Sequence, residues 1–363
     1  MKYNKLFISL LSVMMGFIVG ALILKLSHIS PLEAYTVMLK GTFEKPQYIA
    51  YVIIRSTPLI LTGLSVAFAF RTGLFNIGSE GQFIIGAIVA TMVGLKTDFH
   101  PLIQIPFVIL ISMIVSGLYG GVAGFIKARY GVHEVISTIM LNWIALYFSN
   151  FIVMNDAFHR PDTETTEFIN SSSSITLFEN FKNSEAGLKW FDSHPLLAEF
   201  FRPPVNAGIF LSLIAVVVVW FILNKTSFGF KLKAVGFNPD ASRYAGINVN
   251  KKMTQSMFIA GSLSGLAGAL HVMGVSKNVA ILAAHEGYGF DGIAVALIGS
   301  NNPFGTMIAG FFLGALKYSG QKIQSALEAP SEVISIMIGA IIFFIAIPIL
   351  IESMLNLFKK SKT

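Results

Sequence analysis

Two carboxylates stand apart in this apolar chain, Glu80 and Asp291. Each lies at a glycine-rich break between apolar runs. The first break reads Phe70-Arg-Thr-Gly-Leu-Phe-Asn-Ile-Gly-Ser-Glu-Gly-Gln-Phe83 and gathers Phe75, Asn76, Glu80 and Gln82. The second reads Gly287-Tyr-Gly-Phe-Asp-Gly-Ile-Ala-Val-Ala-Leu-Ile-Gly-Ser-Asn-Asn-Pro-Phe-Gly305, with Phe290 and Asp291 near its start. An acidic group at the centre of a bilayer costs roughly 2.5–3.5 kcal/mol on insertion scales. Such a group is expected to face the protein interior or a wet cavity, where it could line a translocation path or gate. Structural alternatives exist for both. Glu80 could sit solvated in a turn or pair with Arg71, and Asp291 could simply cap a short helix.

Other chemistry is thinly represented. His133 and Glu134 are adjacent, so on a helix they diverge and make a poor catalytic pair. Ser137, Asn142 and Trp143 follow them near the end of an apolar run. The chain has no Cys, which excludes disulfides, thiolate nucleophiles and Cys-ligated metals. Its seven His residues show no H-E-x-x-H or paired-ligand spacing, so no metal site and no catalytic residue are expected. There is no G-x-x-x-x-G-K-[ST] and no Gly-Lys dipeptide, so no P-loop can hold ATP here. The net charge of +7 does not mark a nucleic-acid binder, because no basic patch alternates with exposed aromatics.

The elements that must hold these groups are membrane helices. Of 363 residues, 54% are hydrophobic and 12% charged, with mean hydropathy +0.70. Soluble domains carry about 25% charged residues. The expected fold is an all-α polytopic membrane protein, a single domain over 1–363. Apolar runs predict spans near 6–26, 48–70, 82–95, 102–126, 132–153, 205–224, 253–275, 287–300, 304–321 and 331–352. The first follows Met1-Lys-Tyr-Asn-Lys5 without a convincing cleavage site and reads as a retained helix. The runs 82–95 and 287–300 fall short of the roughly 20 residues a crossing takes, so they read as interrupted helices. Pairs such as Gly117/Gly121, Gly120/Gly124 and Gly261/Gly265 predict close helix packing, as do Gly16/Gly20 and Gly310/Gly314.

Loop charges set the orientation. Residues 225–252 hold Lys225, Lys231, Lys233, Arg243, Lys251 and Lys252 against Asp240 alone, and so read as cytoplasmic. Lys127, Arg129 and the tail lysines 359, 360 and 362 read the same way. Segment 154–203 has four basic groups against eight acids and reads as external. Both termini inside requires an even count, ten spans or eight. Within 225–252, Asn238-Pro239-Asp240 reads as a helix cap, a first-turn Pro and a first-turn acid, with Gly246 as the stop. That predicts a one- to two-turn helix outside the membrane, with Gly236 before it.

These segments together resemble the permease subunits of bacterial ABC importers of the branched-chain amino acid, ribose and nucleoside type, and within them the nucleoside permeases. The likeness lies in Gly63–Gln82, His133–Asn142, Ala234–Ile247 and Gly289–Gly299, in order along most of the chain. Segment 154–203 is outside the pattern. The resemblance implies a multi-pass protein of the bacterial inner (plasma) membrane that binds no cofactor itself. An ABC ATPase subunit would supply ATP hydrolysis. A second permease, the same or a homologous chain, would complete the path. A soluble or lipoprotein binding protein would deliver a small-molecule substrate, nucleosides before ribose-like sugars or branched-chain amino acids. Path candidates are Phe75, Asn76, Glu80, Gln82, Asn142, Phe290 and Asp291. By similarity, the coupling helix is at Asn238–Tyr244, with Gly236, Asn238, Pro239, Asp240, Arg243, Tyr244 and Gly246 as its working residues. An ion-gradient transporter using Glu80 and Asp291 is the alternative, and a membrane-embedded enzyme is the remotest.

Overall fold

In a computed structural model of the chain, residues 5–182 and 184–347 are described, and no β-strand occurs among them. The first helices are α1 (Lys5–Leu26), α2 (Pro31–Phe43), α3 (Pro46–Phe70), α4 (Ser79–Lys96), α5 (Pro101–Tyr130) and α6 (Glu134–Val153). Segment 154–203 carries a 3₁₀ turn at Ser171–Ser173 and three short helices, α7 (Glu179–Lys182), α8 (Glu185–Asp192) and α9 (Pro195–Phe201). Then follow α10 (Gly208–Lys225), α11 (Ser227–Phe237), α12 (Pro239–Tyr244) and α13 (Val249–His271). The last are α14 (Tyr288–Ile298), α15 (Pro303–Leu327) and α16 (Ser331–Ala346).

Each predicted span falls on a helix. Among the described residues, five helical runs are long and apolar enough to cross a bilayer: α3, α5, α6, α10 and Val249–Ser276. The two runs expected to be interrupted are short, 18 residues in α4 and 11 in α14. The structure adds α2, which the sequence reading passed over. Ser30 caps it by accepting from the Glu33 N–H, and Pro31 begins it. The described part of the last span is α16, while lysines 359, 360 and 362 lie outside the described residues.

The backbone packs as two compact units. The larger is Ile53–Phe312, and the smaller joins Met1–Val52 with Leu313–Thr363. In the smaller unit, Gly16 presses on α16: a Cβ there would stand 3.0 Å from the Ile341 carbonyl oxygen. The Tyr35 hydroxyl donates to the Phe17 carbonyl at 2.6 Å, and the Lys322 ammonium lies 4.5 Å from the Tyr48 ring centroid.

In the larger unit, α13 runs against α5 and α4 through small residues. A Cβ on Gly261 would stand 2.5 Å from the Ser116 carbonyl oxygen, and one on Gly86 would stand 2.2 Å from that of Gly265. With no hydrophobic drive between helices in lipid, such close backbone packing is what holds them together. The interior mixes apolar and polar side chains, and the outer faces of the helices are apolar. α4 buries Ser79, Glu80, Gln82 and Thr91, while α5 exposes Leu110, Ile114 and Leu118 and α10 exposes Ile214, Val218 and Phe221. A lipid-facing row can stay apolar at no cost, whereas polar groups must find partners inside.

Segment 154–203 is tied to the chain that follows α13. The Thr166 N–H donates to the Val279 carbonyl and the Ile169 N–H to the Lys277 carbonyl, both at 2.9 Å. The Lys277 ammonium donates to Thr176 Oγ1 at 2.7 Å and to Ser174, and pairs with Glu179 at 3.2 Å. Burial alone would raise the Glu179 carboxyl, but the Ser174 hydroxyl and the Lys277 ammonium outweigh it and hold it below its ordinary value. Burial pushes the Lys277 ammonium down, against the pull of Glu179. A depressed carboxylate stabilises the fold above its unfolded pKa, about 4.3 for Glu, and that contribution fades as pH falls through the lower folded value. Glu179 is 45% exposed, so screening keeps the contribution below about 1 kcal/mol. Hydrogen exchange of 174–182, corrected for intrinsic rates, should therefore show more opening below about pH 4 than near neutrality. Glu179→Gln should show the more open level at neutral pH with no further acid step. An acid step of native size in that variant would assign the effect to another group.

Candidate functional site

Both interrupted helices begin with glycine at the cap position, Gly78 for α4 and Gly287 for α14, and neither has a side-chain cap of its own. Four N–H groups at each helix start need acceptors. At this site the acceptors come from elsewhere in the chain. Asn142, midway along α6, accepts from the Gly81 N–H at 2.8 Å and donates to the Ile77 carbonyl at 3.1 Å. Glu80, in the first turn of α4, accepts from the Gly287 N–H at 2.8 Å and the Gly289 N–H at 2.6 Å. The helices touch at this point, because a Cβ on Gly289 would stand 2.1 Å from the Glu80 nitrogen.

The rest of the first break is knitted to the same core. The Asn76 and Gln82 amides form a reciprocal pair, with Asn76 Nδ2 donating to Gln82 Oε1 at 2.8 Å and Gln82 Nε2 to Asn76 Oδ1 at 3.0 Å. Asn76 also donates to Ser65 Oγ at 3.0 Å, and Ser65 donates to the Ala260 carbonyl at 2.6 Å. Ser79 and Ser264 share a hydrogen bond of 2.7 Å, and Ser116 donates to the Gln82 carbonyl at 2.6 Å. Asn76, Glu80, Gln82 and Asn142 are therefore all buried and satisfied.

Neither structural alternative for Glu80 applies. It is not solvated, and Arg71 instead donates two hydrogen bonds, 3.1 and 2.8 Å, to the Asn301 carbonyl beyond α14. Phe75 packs against Phe70, and its N–H donates to Glu134 Oε1 at 3.3 Å. Glu134 in turn pairs with Lys127 at 3.0 Å. His133 caps α6 from an exposed position, and instead of diverging from Glu134 its Nδ1 lies 3.6 Å from Glu134 Oε2, a carboxylate already held by Lys127 and the Phe75 N–H. Asp291 stands in the first turn of α14, and Phe290 beside it is 40% exposed. The structure thus brings Asn76, Glu80, Gln82 and Asn142 into one network and leaves Phe290 at its edge. Sequence reading missed Ser65, Ser79, Ser116 and Ser264. Their only signal was small hydroxyl residues among apolar helices.

The second candidate region is the 225–252 stretch. Where a loop with one short helix was expected, α11 precedes α12 and folds back along α10. A Cβ on Gly229 would stand 2.1 Å from the Ile222 carbonyl oxygen, and Leu232 and Val235 are buried. The expected cap is present. Asn238 Oδ1 accepts from the Asp240 and Ala241 N–H groups, both at 3.0 Å. At the other end Gly246, with φ 77°, closes α12: its N–H donates to the Arg243 carbonyl and the Ile247 N–H to the Ser242 carbonyl, both at 3.0 Å. Arg243 pairs with Asp240 at 3.0 Å on the surface. The result is a rigid knuckle with Tyr244 98% and Phe237 89% exposed. Its root is Gly236, where a Cβ would stand 2.4 Å from the Arg71 carbonyl oxygen. The knuckle therefore rests directly on the turn that leads to Glu80. No group of three or more His, Asp or Glu able to hold a metal occurs among the described residues.

Comparison with known proteins gives this geometry a context. Residues 48–346 match the sequence family described as branched-chain amino acid transport system / permease component. The chain is 39% identical to the guanosine ABC transporter permease protein of Bacillus subtilis (strain 168), over 99% of this chain and 98% of that one. It is 34% identical to the nucleoside ABC transporter permease protein of Lactococcus lactis subsp. cremoris (strain MG1363), over 98% and 94%. A glucose ABC transporter permease protein of Haloferax volcanii is 27% identical over 92% and 85%. No solved structure matches the chain.

Removing the Glu80 carboxylate would strand two buried N–H groups, at roughly 1–3 kcal/mol each. Glu80→Ala is expected to lower the midpoint for thermal loss of the monodisperse species in detergent by about 5–10 °C, and Glu80→Gln by about half that. A native midpoint in Glu80→Ala would mean that α14 does not depend on this cap.

Proposed function

The chain belongs to the permease family of branched-chain amino acid transport systems, and on that premise we propose that it is the membrane subunit of an ATP-driven importer of nucleosides. The two relatives matched at 39% and 34% over nearly the whole chain are named for guanosine and nucleoside transport, which supports the substrate class. Sugars remain the second reading, because a glucose permease matches at 27%. The protein is a multi-pass membrane protein, and we place it in the bacterial plasma membrane with both termini and the knuckle in the cytoplasm.

The observation that carries the energy-coupling reading is the knuckle itself. A helix closed at both ends and rooted on backbone presents Tyr244 and Phe237, which no other side chain covers among the described residues. Such a part suits a groove on an ATPase subunit. ATP would be bound and hydrolysed there, and this chain would hold no cofactor. Movement of α12 would pass through the Gly236–Arg71 contact to the 71–78 turn. From there it would reach Glu80 and α14, tipping the bundle between two rigid states. A second permease would complete the path beside Phe290 and Asp291, and a binding protein would deliver solute outside. The ion-gradient alternative is weaker because both oxygens of Glu80 are already committed to backbone N–H groups.

Deleting 238–244 should abolish ATPase docking and uptake while leaving membrane insertion intact; docking that survives the deletion would refute the coupling assignment. Uptake of labelled guanosine, uridine, ribose and leucine in a deletion strain complemented with this chain is expected to show nucleosides alone. Uptake should stop on ATP depletion even with the ion gradient clamped. Uptake that follows the gradient instead would favour the secondary transporter.

A further inference from the structure

Past α13 the chain makes a single π turn, Val272–Ser276, and leaves it through Lys277 in a left-handed conformation, φ 64°. π turns of this kind are frequent at functional sites. Beside it lies a cavity of about 140 Å³ between α4, α6, the π turn and residues 278–286. One wall is aromatic. The Phe83 ring lies 5.9 Å from the His271 ring and 5.2 Å from that of Tyr288, and His271 and Tyr288 are 5.1 Å apart. The outer wall is fixed in place: Asn150 on α6 accepts from the Leu282 N–H at 2.8 Å and donates to its carbonyl at 2.9 Å.

The polar groups of this cavity are unspent. Ser149 Oγ is fully buried and has no hydrogen-bond partner among the described residues. The imidazole of His271 touches the Phe83 and Tyr288 rings and lies within reach of the Arg55 charge, and the side chains of His271, Asn278 and Glu286 form no hydrogen bond among the described residues. Buried polar groups in native proteins are normally paired, so an orphan hydroxyl on a residue that lines a cavity calls for an explanation. An apolar, aromatic pocket with a few convergent polar groups is the usual form of a small-molecule site. This one is smaller than the roughly 300 Å³ at which complete ligand pockets begin. It has room for one ring system, with the rest of the solute outside. Glu286 stands at the mouth, exposed to solvent.

We propose that this cavity takes the heterocyclic base of the transported nucleoside, with the base against Phe83 and His271, its edge meeting Ser149 and Asn278, and the sugar hydroxyls donating to Glu286 at the mouth. The proposal rests on the nucleoside reading above. A free nucleobase would offer the same ring chemistry, and the test separates the two.

The assembled importer is placed in nanodiscs without its external binding protein, and binding of tritiated guanosine is measured with hypoxanthine and ribose as competitors. Import of guanosine by the same preparation with binding protein is measured in parallel. Binding by the native complex should be displaced by hypoxanthine and not by ribose. Ser149→Ala and Glu286→Gln, which change little volume, should each weaken it about tenfold, the equivalent of one hydrogen bond. Ala87→Leu, which fills the cavity, should abolish it. Native affinity in all three variants, or displacement by ribose alone, overturns the subsite and leaves the nucleoside importer standing. If hypoxanthine is bound here and imported in place of guanosine, the subsite stands and the nucleoside reading falls. An importer that moves no nucleoside and no nucleobase overturns both.

Discussion

The Glu80 carboxylate, holding the Gly287 and Gly289 N–H groups, is the interaction on which the centre of this protein depends. A membrane chain may not leave backbone polar groups bare in lipid. Two helices here begin inside the bundle with glycine at the cap, so they cannot satisfy their own first turns. Asn142 does so for α4 and Glu80 does so for α14. Because Glu80 itself rides on α4, the order is fixed: α6 holds α4, and α4 holds α14. The carboxylate is accommodated because it meets N–H groups at a helix start, where negative charge is favourable.

Close approach makes this capping geometry available. Glycines at 86, 261, 265 and 289 let backbones touch where any side chain would separate them. Hydroxyls of Ser65, Ser79, Ser116 and Ser264 then add hydrogen bonds between the helices. The same device appears at the knuckle, where Gly236 sets α11 against the Arg71 carbonyl. A short line of contacts thus joins the exposed α12 to the Glu80 cap within one unit. A permease needs rigid parts with few joints, and this line consists of backbone contacts and charge-assisted hydrogen bonds that permit little slack.

Much of this was legible in the residues because it is local. Span positions follow from runs of apolar side chains. The α12 helix follows from Asn238-Pro239 and Gly246, whose capping and left-handed preferences act within a turn. Other features escaped. α11 was hidden because Gly229 and Gly236 read as loop residues, whereas they are there to let the helix lie on α10 and on the 71–73 turn. α2 was hidden because it is short and only half apolar. The path candidates were recognised as polar groups at a break, but their polarity serves each other. Asn76 faces Gln82, and Asn142 faces the Gly81 N–H.

The sequence by itself determined that this is a bundle of membrane helices, where two of them break, and where a capped helix leaves the bundle. Those are consequences of side-chain hydrophobicity, glycine and proline acting over a few residues. Only the tertiary structure decided what the break at Glu80 is for. Its partners are 207 and 209 residues away, and no local pattern encodes which helix start a buried carboxylate will meet. That choice is made when small residues let α4, α13 and α14 approach. The requirement that every buried N–H find an acceptor then leaves Glu80 one place to go.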